Sequence, residues 1–256
     1  MLIDTHCHLN DEVFKDNIEE VINKARNRGI KKIIVIGYNK LSSCEAVRIA
    51  NMYDGIYASI GVHPSDIKKE DNDLSWIYEL AKDKKVVAIG EIGLDYYWDK
   101  SYNDLQIEWF IKQIEVAKDL DLPIVVHCRD AVQDCFDIVK EHGNGKGVIH
   151  CYSGSFEMAK EYIKLGYYLG IGGVVTFKNS HLGETIEKIG ISHLVSETDA
   201  PYMAPVPYRG KTNEPAYIYE IVQKISEAAG LNFEEVEKRL EENTYNVFKI
   251  YAKVRL

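Results

Sequence analysis

Leu2-Ile3-Asp4-Thr5-His6-Cys7-His8 opens the chain, and its reading decides the fold. An apolar run ending in His-x-His reads as a β-strand, on which side chains two apart project from one face. Two imidazoles at the end of one strand can therefore grip one metal ion. Such a pair alone arises by chance in many chains. Here four further ligand-type residues, Glu91, His127, His150 and Asp199, each stand at the C-terminal end of a later strand-like run. That recurrence points to a metal-dependent hydrolase.

Outward from this segment, short runs rich in Val and Ile alternate with longer amphipathic stretches. Strands are predicted at residues 2–6, 32–37, 56–61, 86–91, 123–127, 146–150, 167–171 and 193–198. Between them, residues 13–28 carry Val13, Phe14, Ile18, Val21, Ile22 and Ala25 at helical spacing, closed by Gly29. Ser42 with Glu45 reads as a capping box. Leu105, Trp109, Ile114, Ala117 and Leu120 form a stripe over 104–120, and two more helices are expected over 213–229 and 233–250, the second capped by Asn232.

Strands separated by helices predict parallel pairing, because each parallel connection needs a crossover. Eight such units in 256 residues predict an α/β fold of the (β/α)8 TIM-barrel type, a single domain over 1–256. No G-x-G-x-x-G follows the first strand, which argues against an open dinucleotide-binding sheet.

The net charge is −9. A protein that coats a long duplex shows a basic footprint, because phosphate neutralisation supplies most of the affinity. A nucleic-acid substrate would then be met over a short stretch or an end. Cys7, Cys44, Cys128, Cys135 and Cys151 are odd in number and scattered, which argues against a disulfide framework. No apolar stretch approaches the roughly 18 residues of a membrane span, and no secretory signal is visible. A cytoplasmic protein with no membrane association and no obligate protein partner is expected.

In a (β/α)8 enzyme the site lies at the C-terminal mouth of the barrel. Parity supports the six candidates: Val125 and His127 share a face, as do Val148 and His150, and Val195, Glu197 and Asp199. Cys7, Cys128 and Cys151 each follow a candidate directly and should face the helix layer. Four imidazoles and two carboxylates exceed the three protein ligands of one catalytic zinc. They suit two ions about 3.5–4 Å apart that lower the pKa of bound water towards about 7. Glu91 offers two oxygens and is the natural bridge. Histidine-rich sites favour zinc or manganese over magnesium.

The segments Asp4-Thr5-His6-Cys7-His8-Leu9, Gly61-Val62-His63-Pro64, Gly90-Glu91-Ile92-Gly93-Leu94-Asp95-Tyr96, His127-Cys128-Arg129-Asp130-Ala131, His150-Cys151-Tyr152-Ser153-Gly154, Glu197-Thr198-Asp199-Ala200-Pro201-Tyr202 and Arg209-Gly210-Lys211-Thr212-Asn213-Glu214-Pro215 resemble the motifs of the TatD-related metal-dependent deoxyribonucleases of the amidohydrolase superfamily. The resemblance implies a barrel with two divalent cations (Mg, Mn or Zn) that hydrolyses DNA phosphodiesters, with 3′-to-5′ exonuclease activity. By that likeness His6 and His8 hold the first metal, Glu91 bridges, and His127 and His150 hold the second. Asp199 binds the first metal and acts as general base, so Asp199 and Glu91 are the catalytic residues.

His63, Arg129 and Arg209 are candidates for phosphate contacts. A turn-stabilising role for His63, pairing of Arg129 with Glu197 or Asp95, and a solvated loop for Arg209 and Lys211 are the competing readings; for Arg129 the pairing is preferred. Tyr96, Tyr97 and Trp98 are expected to pack against the barrel rather than stack a nucleobase, and Lys31-Lys32 and Lys68-Lys69 to be solvated. The other functions considered are hydrolysis of a small ester, lactone or aminoacyl-tRNA, and a non-catalytic metal-binding scaffold.

Overall fold

The computed structural model describes residues 1–250; residues 251–256 of the predicted domain lie outside them. Eight strands, β1 (Leu2–Cys7), β2 (Ile30–Ile36), β3 (Ile56–Ile60), β4 (Val86–Asp95), β5 (Ile124–Arg129), β6 (Gly147–Ile149), β7 (Tyr168–Ile171) and β8 (Leu194–Ser196), form one sheet in sequential order. Every neighbouring pair is parallel. β4 runs four residues past the expected Glu91, while β6 and β8 stop short of His150 and Asp199.

The outer edges, β8 and β1, meet through individual bonds rather than a regular ladder. A parallel bridge joins Cys7 to Ala200. His8 N donates to Ala200 O at 2.7 Å, and Asp199 N donates to His6 O at 2.8 Å. Deeper in the wall, Thr5 Oγ1 donates to Ser196 O and Ser196 Oγ donates to Ile3 O. These bonds bring the sheet round into the predicted TIM barrel.

Nine helices surround the sheet among the described residues: α1 (Ile18–Asn27), α2 (Lys40–Met52), α3 (Ser75–Leu80), α4 (Asn103–Asp119), α5 (Val132–His142), α6 (Phe156–Lys164), α7 (Leu182–Ile189), α8 (Ile218–Ala229) and α9 (Phe233–Phe248). Most apolar strand residues pack outward against them. A second cluster joins Ile34, Ile36, Val87, Val125, Val148 and Val195 to Val247, Phe248 and Ile250 at the end of α9. The valines named in the parity reading therefore belong to the cluster that α9 meets, Val125 and Val148 two residues before His127 and His150, and Val195 four residues before Asp199.

Several local expectations change. Ser42 does not cap α2: Asn39 is the N-cap and accepts from Ser42 N at 2.9 Å, while Ser42 Oγ accepts from Asn39 N, so the reciprocal box lies three residues upstream. α1 starts at Ile18, since Asp11 caps a separate 3-10 turn at Glu12–Phe14. Pro215 opens another such turn before α8. The Asn232 cap of α9 is present, boxed with Glu235. Lys32 is buried instead of solvated, its Nζ donating to Ile250 O at 2.5 Å and lying 4.4 Å from the Tyr245 ring. No helix among the described residues is long and apolar enough to cross a membrane.

Candidate metal centre

The C-terminal strand ends bring all six predicted ligands together. β1 delivers His6 and positions His8 just beyond it, β4 carries Glu91, β5 carries His127, and His150 and Asp199 follow β6 and β8. Asp199 adopts φ = 58°, a left-handed backbone uncommon for a side-chain-bearing residue. The turn lets its carboxylate approach the rings of β1.

Glu91 stands between two sets of imidazoles. Its Oε2 lies 3.4 Å from His6 Nε2 and 3.8 Å from His8 Nε2. Its Oε1 lies 2.8 Å from His127 Nδ1, 3.7 Å from His150 Nε2 and 3.8 Å from His63 Nε2. Asp199 Oδ1 joins the first set, 3.7 Å from His6 Nε2 and 3.4 Å from His8 Nε2. The Nε2 atoms of His6 and His8 are only 3.3 Å apart, and His6 stacks on His150 with ring centroids 3.5 Å apart.

The donor set fits divalent cations. His8 Nδ1 faces Ile36 O at 3.2 Å; with its proton donated there, the Nε2 lone pair points into the cluster. Converging ring nitrogens and carboxylate oxygens fall into several triads whose ligand atoms all lie within 4.8 Å of one another. Buried His6 Nδ1 and Glu197 Oε2 have no hydrogen-bond partner among the described residues.

The electrostatics follow from crowding opposite charges in a buried space. Burial opposes ionisation of Glu91, yet His150, His6 and His63 hold it well below the usual carboxylate range. Burial likewise opposes charge on Asp199, and its bond to His8, with the charges of His150 and His6, outweighs it and lowers the pKa. His127 is pushed up to about 9: burial works against its charge, but bonds to Asp95 and Glu91 prevail. His150 rises to about 10 in the same way, with Glu197 and Glu91 overcoming burial. His63 goes the other way, down to about 3, through burial and the neighbouring His127.

Two carboxylates that sequence reading did not single out as site residues back these rings. Asp95 Oδ2 is 3.1 Å from His127 Nε2, and Glu197 Oε1 is 2.9 Å from His150 Nδ1 and accepts from Cys151 N at 2.5 Å. Parity alone pointed to them: Glu197 shares a face with Asp199, and Asp95 lies four residues beyond Glu91 on β4. A side chain at Gly170 would collide with Glu197 Oε2, so glycine makes room for that carboxylate. α4 supplies further positioning. Buried Gln106 grips the backbone of Asp95 through two bonds of 2.7 and 2.9 Å, and Gln113 grips Val62, beside His63, through two bonds of 2.8 and 3.0 Å.

Three expectations are overturned. Arg129 pairs with neither Glu197 nor Asp95, which are engaged by His150 and His127; its guanidinium lies 3.8 Å from the Tyr97 ring. Cys151 does not face the helix layer, because β6 ends at Ile149 and Cys151 takes φ = 47°, which places its thiol with His150 and Glu197. Tyr97 and Trp98 are 52% and 70% exposed; Tyr96 alone packs as expected. Cys7 does join the core under the helices, and Cys128 packs against it. Arg209 lies in the loop after β8 with its guanidinium 4.0 Å from the Phe177 ring. Lys68 and Lys69 remain exposed, paired with Asp99 and Asp66.

A parallel eight-stranded barrel with a rim of imidazoles around a buried carboxylate defines the class of metal-dependent hydrolase barrels. The family model described as TatD related DNase matches residues 3–249. The chain is 44% identical to the uncharacterised metal-dependent hydrolase YabD of Bacillus subtilis, over 98% of this chain and 100% of that one. It is 33% identical to the similarly described YcfH of Escherichia coli K12, over 98% and 97%. The crystal structure of YjjV, a TatD homologue from Escherichia coli K12, superposes with a TM-score of 0.93 at 31% identity, covering 98% of each chain. The chain belongs to the TatD-related DNase family of metal-dependent hydrolases.

Proposed function

We propose that this protein is a deoxyribonuclease that hydrolyses phosphodiester bonds of short or terminal DNA stretches, in the manner of a 3′-to-5′ exonuclease, with two divalent cations. One observation carries the reading: the two oxygens of Glu91 face separate imidazole sets, the disposition a bridging carboxylate requires. His6, His8 and Asp199 would hold one ion with Glu91, and His127 and His150 the other. Bound there, Mg, Mn or Zn would make water reactive near neutral pH and neutralise phosphate oxygens.

The chain's own groups then have defined tasks. Asp199, kept ionised by the surrounding imidazoles, accepts the proton of the attacking water. His63 Nδ1 faces Ser65 N at 3.1 Å and accepts from it, so the neutral ring carries its proton on Nε2, aimed at the cluster. That N–H suits donation to a phosphate oxygen better than metal ligation. Arg129 and Arg209 form no ion pair among the described residues and flank the mouth as phosphate contacts.

The test incubates metal-reconstituted protein with end-labelled single-stranded DNA, beside aminoacyl-tRNA and a lactone panel. DNA is expected to shorten from its 3′ end. Asp199→Asn should lower kcat by roughly 10²–10⁴-fold as loss of a general base does, and Glu91→Ala should abolish turnover. DNA breakdown that persists undiminished in both variants would overturn the proposal.

A further inference from the structure

Tyr97 and Trp98 follow Tyr96 just past the end of β4 at the mouth, and both side chains are largely exposed. Their rings stand nearly perpendicular, with centroids 4.7 Å apart. Arg129, the last residue of β5, places its guanidinium 3.8 Å from the Tyr97 ring centre and 5.4 Å from that of Trp98. The shelf is tied to the metal-ligand cluster on both sides. Tyr97 N donates to Asp95 Oδ1 at 3.0 Å, the carboxylate that holds His127, and Arg129 lies two residues beyond His127 on the same strand face.

Exposing this much aromatic surface beside a buried polar cluster is unfavourable unless something covers it. The overall charge of −9 deprives DNA of the broad electrostatic attraction that usually supplies affinity, so local contacts have to supply it. Base-on-aromatic stacking combined with an arginine is the usual local solution for an unpaired strand. Arg129 already covers Tyr97, which leaves the Trp98 indole as the platform and the guanidinium, with no carboxylate partner among the described residues, to meet an adjacent phosphate.

We propose that Trp98, braced by Tyr97, is a stacking subsite for one unpaired nucleobase of the strand under hydrolysis, with Arg129 contacting the phosphate next to it. The proposal rests on the nuclease reading for its substrate. Every base has a π-face, so the subsite registers that a base is present, whatever its identity.

Trp98 is also its own reporter. Of the three tryptophans, Trp76 and Trp109 are 7% and 2% exposed, so solvent-accessible indole fluorescence comes from Trp98. Titrating the full-length metal-free protein with oligothymidylate should quench this emission, and an abasic oligomer of equal length should quench at least several-fold less. Equal quenching by the two oligomers, or none, overturns the subsite.

With the reconstituted enzyme, an abasic residue beside the scissile phosphate should raise KM about tenfold, within the range stacking supports. Trp98→Ala should raise KM by a similar factor on the normal strand and cancel the further abasic penalty, while Trp98→Phe restores it. Independent, multiplying penalties overturn the proposal. Base-dependent quenching in a protein that hydrolyses no DNA would sink the nuclease reading while supporting the subsite.

Discussion

Each ring of the second imidazole pair, His127 and His150, is backed by a carboxylate, whereas His8 leans on a backbone carbonyl and His6 Nδ1 on nothing among the described residues. A carboxylate behind a ligating histidine fixes its orientation and raises its basicity, and losing it typically costs 10–100-fold in metal affinity. Asp95→Asn and Glu197→Gln are therefore expected to weaken metal binding by roughly that factor, read by calorimetric titration with Mn²⁺. Protons compete for the same nitrogens. With pKa values pushed up to about 9 and about 10, His127 and His150 carry protons at neutral pH in the metal-free state. Cation binding must displace them, so affinity should climb as pH rises from 6 to 9, with proton release visible as a buffer-dependent heat. A flat affinity across that window would contradict the assignment. The convergence of the six candidate residues was legible because strand parity is a property of sequence alone. The backing carboxylates were not assigned, because what an acid at a strand end faces depends on the register of its neighbours. Arg129 shows the same limit: its acidic partners were real, and both were already taken.

Among the elements, α4 has a task its helical stripe concealed. Gln106 and Gln113, seven residues apart on its buried face, hold the backbones of Asp95, the last residue of β4, and Val62, two residues beyond β3. Hydrophobic periodicity cannot announce this, because a buried glutamine interrupts the pattern that identifies the helix. Gln106→Ala leaves a buried N–H and C=O without partners and should destabilise the fold by about 1–3 kcal/mol in denaturant unfolding. A paired loss of metal affinity should accompany it, since Asp95 would shift. Asn39→Ala, at the cap that displaced Ser42, should cost about 1 kcal/mol by the same measurement, with the metal centre intact. The misplaced cap was an error of three residues in a correct helix. Two side chains that both accept from backbone donors stood at the right spacing, and only the chain's exit from β2 chose between them.

At the scale of the molecule, the order of eight strands and their crossovers was readable because parallel pairing leaves a periodic trace of apolar runs and helices. The closure of β8 on β1 left none: β8 has only three residues of regular strand. Asp4 sits at that junction, fully buried, accepting from Thr198 N at 2.9 Å and from Thr198 Oγ1 at 2.5 Å. Burial outweighs these bonds and pushes its pKa up to about 8. A raised carboxyl pKa means that folding favours the protonated form. In the metal-free protein this residue should therefore lower stability progressively as pH climbs from about 4 to about 8, and Asp4→Asn should remove that part of the slope in pH-dependent unfolding. His6 and His8 stand on one bank of the junction and Asp199 on the other. A cation gripped from both banks would act as a rivet across the one line where the wall lacks a continuous ladder. Chelation should then unzip amide protection along residues 2–8 and 194–200 ahead of the other strands, so that the same atom that activates water also keeps the cylinder shut.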